Sequence, residues 1–222
     1  GFQSWSSLET LSKSISPQYL KYPLTDGLQH REHQTSGTEY LMYMIKENFN
    51  LPNESDNNAL DKFIFLSQIH QAMAIKLQTE YYRRNRMINS DGTGHTMGAL
   101  YWQLNDIWPT VSWSSIEFGG KWKMLHYYAM KMFDNLLIDA YLDDDLLKVA
   151  LTRDDYDPAM EIEITVSLYD WVYPVPLWQK NLTVLSLPFS SSDCSSPARS
   201  VSCGTSATAV RRASFSARPC AG

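Results

Sequence analysis

The sequence predicts an α/β segment followed by an all-β segment, and three observations carry that prediction. A stretch of helical period runs from about residue 59 to 86, a short run apolar on both faces follows at 97–104, and strict alternation sets in at 161–168. Helix, strand, loop and helix in that order are the rhythm of an α/β unit, whereas alternation marks a half-exposed antiparallel strand.

Residues 1–36 are rich in Ser, Pro and Gln and predict an exposed loop with short turns. From Thr38 to Asn48, Tyr40, Leu41, Met44 and Ile45 recur at helical spacing, and Pro52 follows the end. Asp56-Asn57-Asn58 offers capping side chains ahead of a long helix from about Ala59 to Arg86. Leu66, Ile69, Met73, Leu77 and Tyr81 mark its expected buried stripe. Arg83, Arg84 and Arg86 fall in its last turn, where positive charge complements the helix dipole.

Asn89-Ser90-Asp91-Gly92 signals a turn. The run Met97 to Leu104 then reads as a parallel strand covered on both sides. An aromatic loop from Trp108 to Phe118 and Gly119-Gly120 lead into a helix from about Lys121 to Phe133.

After Asn135 the pattern becomes β. Leu136–Leu142 and Leu146–Leu151 flank Asp143-Asp144-Asp145 as a hairpin, Glu161–Leu168 alternates, and Asn181–Leu187 supplies a further strand. Three or four strands are too few for an immunoglobulin-like sandwich, which needs about seven. From about Phe189 large aliphatics almost vanish, so residues 189–222 predict a disordered tail rich in Ser, Ala and Arg.

Composition narrows the function classes. With 222 residues, 44% of them hydrophobic, the chain is long enough for one or two cored domains. A net charge of −5 argues against nucleic acid as a partner. No run of about 18 apolar residues supports a membrane span. Cys194, Cys203 and Cys220 show no zinc-type spacing, so a metal site is not expected.

One stretch is far more specific. Gly94-His95-Thr96-Met97-Gly98-Ala99-Leu100-Tyr101-Trp102-Gln103-Leu104-Asn105-Asp106-Ile107-Trp108-Pro109, followed by Ser112-Trp113-Ser114-Ser115 and Gly119-Gly120-Lys121-Trp122-Lys123-Met124-Leu125-His126-Tyr127, resembles the last barrel strand and helix of lysosomal-type β-mannosidases in glycoside hydrolase family 2. Gly1 to Ser7 resembles the segment after barrel strand seven, and Glu80 to Arg86 the end of the intervening helix. The resemblance runs in order over residues 1–188.

It implies residues 1–135 as the C-terminal part of a (β/α)8 TIM barrel, 136–188 as an incomplete immunoglobulin-like sandwich, and 189–222 as a tail foreign to the family. A retained intron, a shifted frame, an alternative exon or a natural disordered tail each account for such an ending. The family hydrolyses terminal β-D-mannose from glycoprotein-derived oligosaccharides in the lysosome. It uses two glutamates about 5–5.5 Å apart and a covalent glycosyl-enzyme, without a metal or organic cofactor. The nucleophile is expected two residues before Gly1 and the acid/base further upstream, so no catalytic residue is expected here. Glu9, Glu32, Glu39 and Glu47 and the Asp143–Asp145 and Asp154-Asp155 groups read as loop, helix-surface or turn residues instead.

The resemblance makes Trp102 a wall of the sugar pocket, with barrel packing as the alternative. Asn105 and Asp106 would bond sugar hydroxyls or brace their loop, and Trp5 would line the pocket or pack the loop. Trp108 and Trp113 read as structural. Asn53-Glu54-Ser55 and Asn181-Leu182-Thr183 are glycosylation sequons. Three readings follow: a segment of a β-mannosidase acting on a β-mannoside oligosaccharide, a non-catalytic truncated product holding sugar weakly, or a gene-model artefact with no stable fold.

Overall fold

The computed structural model describes residues 2–143, 146–169, 172–194 and 212–219, the last stretch through its backbone. Two units divide the chain: Gly1–Thr79 with Ala99–Met132, and Glu80–Gly98 with Phe133–Gly222.

In the first unit, strand β1 (Ser4–Trp5) pairs antiparallel with β2 (Val111–Ser112). Around this short ribbon lie helices α1 (Leu8–Ser12), α2 (Asp26–Gln29), α3 (Gly37–Lys46), α4 (Ala59–Arg84, its last turn in the second unit) and α5 (Met124–Met132). Ser7 caps α1 by accepting the Thr10 amide at 3.4 Å. Ahead of α4, Asp56 accepts the Asn58 amide at 2.8 Å and pairs with Lys62.

The first 36 residues are not the exposed loop that their composition predicts. Trp5, Leu11, Ile15, Leu24 and Leu28 are buried against Leu41, Ile45, Phe63 and Ile64. Leu11 and Leu28 sit on helices of one turn or little more and Trp5 on a two-residue strand, all too short to show a period.

Helix α4 forms as expected, but it buries a different face. Met73, Leu77 and Tyr81 are exposed, while Leu60, Phe63, Ile64, Ser67, Gln71 and Ile75 are buried. Hydrogen bonding turns the helix: Ser67 and Gln71 carry polar atoms that β1 needs, so of the expected stripe Leu66 stays half-buried against the main core while its C-terminal half is left outside. A second core joins Ala72 and Ile75 of α4 to Leu125, Ala129 and Met132 of α5.

The run at 97–104 is likewise not a sheet strand. Met97 and Leu100 are 83% and 101% exposed, and the run's backbone partners lie at its end, where Ser115 and Ile116 donate to Gln103 and Leu104. A parallel strand persists only where neighbouring strands take its amides and carbonyls, and none of the described strands flanks it.

In the second unit a turn closes after α4, with the Gly92 amide donating to Asn89 O at 3.0 Å. Gly94 is required there: its φ is +89°, and a Cβ would lie 2.3 Å from Met87 O. The expected hairpin is β3 (Leu136–Asp143) with β4 (Leu146–Arg153), although Asp144-Asp145 of its turn lie outside the described residues. The alternating segment is β5 (Met160–Tyr169), paired with β6 (Pro176–Ser186). Its Ile162, Ile164 and Val166 point inward onto Val149 and Leu151 of β4.

The tail expectation fails at two places. β7 (Ser190–Asp193) adds to β4, and β8 (Arg212–Pro219) adds to β5, giving sheets β3-β4-β7 and β6-β5-β8. Strand edges offer unpaired backbone groups to any extended neighbour, so a Ser-rich stretch pairs without apolar side chains. Residues 195–211 and 220–222 of that tail, Cys203 and Cys220 among them, lie outside the described residues. Arginines fix this unit: Arg83 bonds Asp154 at 2.8 Å, Arg86 also pairs with Asp154, and Arg84 pairs with the buried Asp139. The basic cluster ending α4 therefore packs the second unit.

Candidate functional site

The site is built around the loop that follows Trp102. Its foundation is a group of polar side chains buried between α4, α5 and the β1–β2 ribbon. Gln71 accepts from Ser4 Oγ at 2.7 Å and donates to Phe2 O at 2.9 Å, with Ser114 O at 3.3 Å from the same amide nitrogen. Ser67 Oγ accepts the Trp5 amide at 3.1 Å, and Gln68 donates to Trp5 O at 3.0 Å while accepting the Met124 amide at 3.1 Å. A two-residue strand cannot satisfy its backbone by pairing alone, and glutamine side chains reach both donors and acceptors.

Lys123 is the centre of this group. Its side chain is fully buried, and Nζ lies 3.3 Å from Asp106 Oδ2, 3.1 Å from Ser4 O and 3.4 Å from Ser112 Oγ. Ser112 Oγ donates to the other oxygen of Asp106. Burial pushes the Lys123 amine below the ordinary lysine value, opposed by the Asp106 charge. Glu117, also buried, accepts from the Ser7 amide and hydroxyl at 2.8 Å each.

On this foundation the loop is pinned from both ends. The Trp102–Gln103 peptide bond is cis. The Gln103 amide donates to Trp113 O at 2.9 Å and the Asp106 amide to Ile116 O at 2.9 Å. Ser115 Oγ donates to Leu104 O at 3.0 Å and lies 3.0 Å from His126 Nδ1 and 2.9 Å from the Tyr101 hydroxyl. A serine–histidine pair at that distance resembles an activated nucleophile. Ser115 is inaccessible and gives its proton to a carbonyl, so the pair acts as a brace.

The structure sorts the residues that the sequence singled out. Trp102 is 67% exposed and Asn105 is exposed beside it, its amide donating to Asp106 O at 3.3 Å. Asp106 is buried and engaged by Lys123 and Ser112. Trp5 is wholly buried in the main core, and its indole N–H finds no partner among the described residues. Trp108 and Trp113 both meet the ring of His33, with centroids 5.1 Å and 5.8 Å away. Asn53 and Asn181 are exposed, the latter on the edge strand β6.

Sequence reasoning missed Lys123, Glu117, Gln68 and Gln71. The glutamines carry a signal: with Ser67 they sit three and four residues from Phe63, Ile64 and Ile75, on the face those side chains bury. Lys123 lies inside the Gly119–Tyr127 motif, but nothing in its neighbours Trp122 and Met124 shows that its charge is buried. Among the described residues no cluster of three His, Cys, Asp or Glu could hold a metal, and no helix is long and apolar enough to cross a membrane.

No family model matches the chain. It is 44% identical over 174 residues to the β-mannosidase of Capra hircus, covering 77% of this chain and 19% of that protein. To the β-mannosidase of Mus musculus it is 43% identical over 178 residues, covering 80% of this chain and 20% of that one. Among solved structures, the β-D-mannosidase of Dictyoglomus thermophilum superposes with a TM-score of 0.76 at 26% identity, over 88% of this chain and 22% of that one. The exo-chitosanase CsxA of Amycolatopsis orientalis gives a TM-score of 0.70 at 16% identity, over 97% of this chain and 24% of that one, a likeness of fold alone.

The class these relatives define is that of the glycosidases. Over most of its length the chain is homologous to one segment of the β-mannosidases, and it spans about a fifth of the length of the relatives it matches.

Proposed function

We propose that this chain is the part of a β-mannosidase that carries one wall of the sugar pocket and the start of the following β domain. The observation that carries the reading is identity of 43–44% to two mammalian β-mannosidases over more than three quarters of the chain. In this reading residues 1–135 are the C-terminal part of a (β/α)8 barrel, and 136–188 begin an immunoglobulin-like sandwich. The division of the chain at Met132 and Phe133 supports the end of the barrel part, while Glu80–Gly98 fall with the second unit.

Trp102 is the group placed to meet substrate. Its exposed indole offers a flat apolar face to the C–H face of a terminal β-mannosyl ring, and Asn105 offers an amide to a hydroxyl. Asp106 acts through the loop: held by Lys123 and Ser112, it fixes the backbone that presents both. Trp5 acts by packing beneath β1. The pocket wall is thereby oriented before sugar arrives, which lowers the ordering cost of binding.

The reaction itself belongs to two glutamates supplied by residues outside 1–222, one protonating the leaving oxygen and one attacking the anomeric carbon. The substrate is a terminal β-D-mannoside of glycoprotein origin, the setting is lysosomal, and Asn53 and Asn181 are glycosylation acceptors. The test uses a chain of the relatives' full length that includes this sequence. There Trp102→Ala lowers kcat/KM for an aryl β-D-mannoside by roughly 100-fold or more, about 2.7 kcal/mol of transition-state binding. Unchanged kcat/KM would remove Trp102 from the pocket, and no hydrolysis by the unmutated full-length chain would remove the β-mannosidase reading.

A further inference from the structure

Ser115 Oγ has one proton to give and three partners at hydrogen-bond distance. Leu104 O lies 3.0 Å away, the Tyr101 hydroxyl 2.9 Å and His126 Nδ1 3.0 Å. A hydroxyl donates once and accepts twice, so the three partners fill it and fix the direction of each bond.

Leu104 O decides those directions. A carbonyl oxygen only accepts, so two bare oxygens would face each other at 3.0 Å unless the Ser115 proton lies between them. With that proton committed, Ser115 accepts from the other two. Tyr101 donates its phenolic proton, and His126 donates from Nδ1. A neutral His126 ring is then protonated at Nδ1 and bare at Nε2, and a charged ring carries the same Nδ1 proton. This is the reverse of an activated serine, in which the facing nitrogen is bare and takes the hydroxyl proton.

The surrounding elements hold these groups in place. Ser115 is fully buried, its amide donating to Gln103 O at 3.0 Å and its carbonyl accepting the Lys123 amide at 2.9 Å. His126 stands in the first turn of α5 with its amide 3.0 Å from Lys123 O, and the Trp122 ring packs on it with centroids 4.3 Å apart. Tyr101 and Leu104 lie on either side of Trp102 in the chain. The single hydroxyl of Ser115 thus ties both flanks of the residue proposed above to meet sugar. A bare Nδ1 would compete with Leu104 O for the one proton and loosen the C-terminal flank. We propose that His126 is a positioning residue for Trp102, acting through Ser115 as an obligatory Nδ1 donor. The direction of the bond stands on geometry alone, while its bearing on sugar rests on the β-mannosidase reading.

The ring nitrogens report the proton directly. The full 222-residue chain, carrying nitrogen-15 histidine, is observed by NMR about two units above the ordinary histidine value of about 6.5. His126, assigned by the loss of its signals in His126→Asn, should show a protonated Nδ1. A bare Nδ1 beside a protonated Nε2 would overturn the proposal. In a chain of the relatives' full length that includes this sequence, His126→Leu should lower kcat/KM for an aryl β-D-mannoside roughly tenfold. His126→Asn offers a side-chain N–H in place of Nδ1–H and should stay within about threefold of the unmutated chain. Equal kcat/KM in the two variants, whether both fall or neither does, would overturn the positioning role. Should the unmutated long chain cleave no mannoside, the β-mannosidase reading falls, and the labelled ring still decides the direction of the bond.

Discussion

Lys123 Nζ lies 3.3 Å from Asp106 Oδ2 with both side chains buried, and this pair joins the start of α5 to the loop that carries Trp102 and Asn105. Lysine is almost never fully buried unless paired, because its charge loses its hydration. Here a carbonyl of β1, a hydroxyl of β2 and the Asp106 carboxylate replace the water.

Breaking one side of the pair leaves the other charge uncompensated. Lys123→Met should destabilise the chain by about 3–5 kcal/mol, whereas Lys123→Met with Asp106→Leu should recover most of that loss. Urea denaturation of the two variants measures it. Equal destabilisation by both would show that packing, not charge, matters at this place.

The pair also gives a pH signature. The folded-state value of Lys123 is depressed, so below the ordinary lysine value the unfolded chain binds a proton that the folded chain resists, and stability rises with pH through that window. Cys194 works the other way. Burial raises its thiol from 9.0 to about 11, so the stability it contributes is present below 9.0 and lost as pH climbs to about 11. Melting temperatures across this range should therefore fall more steeply with pH in the Lys123→Met, Asp106→Leu double variant than in the native chain.

The register of α4 is testable by two substitutions. Gln71→Met strips hydrogen bonds from Phe2 O and Ser4 Oγ and should cost about 1–3 kcal/mol for each group left unpaired. Met73→Lys, two residues on but exposed, should change stability by no more than about 0.5 kcal/mol. The reverse ranking would restore the apolar stripe as the buried face.

Met97, Leu100, Leu77 and Phe65 are each more than half exposed, and exposed large apolar side chains promote association. The isolated chain should sediment as concentration-dependent oligomers. Met97→Lys with Leu100→Lys should shift it toward monomer without lowering its melting temperature.

The β segment was the most legible part of the sequence, because alternation in Glu161–Leu168 reports a one-sided burial that neighbouring strands of the same unit supply. The helices at 37–46 and 59–84 were legible from their periods and flanking residues, and the one expected from about Lys121 to Phe133 forms over the shorter Met124–Met132. What escaped was whatever depends on partners distant in sequence. The α4 face was misread because Ser67 and Gln71 bind β1, 62 and 67 residues away in the chain. The run at 97–104 has the composition of a covered strand but no flanking strands among those described. At the site, the motif around Trp102 drew notice to an exposed loop, while Lys123, which pairs with Asp106 of that loop, and Glu117, which accepts from Ser7, gave no sign in sequence of being buried.

The most direct measurement compares hydrolysis of an aryl β-D-mannoside by the 222-residue chain and by a chain of the relatives' full length containing it, with an aryl β-D-glucosaminide as control. The longer chain should cleave the mannoside in preference to the glucosaminide, and the 222-residue chain should cleave neither. Turnover of the mannoside by the 222-residue chain, or preference of the longer chain for the glucosaminide, would contradict the account.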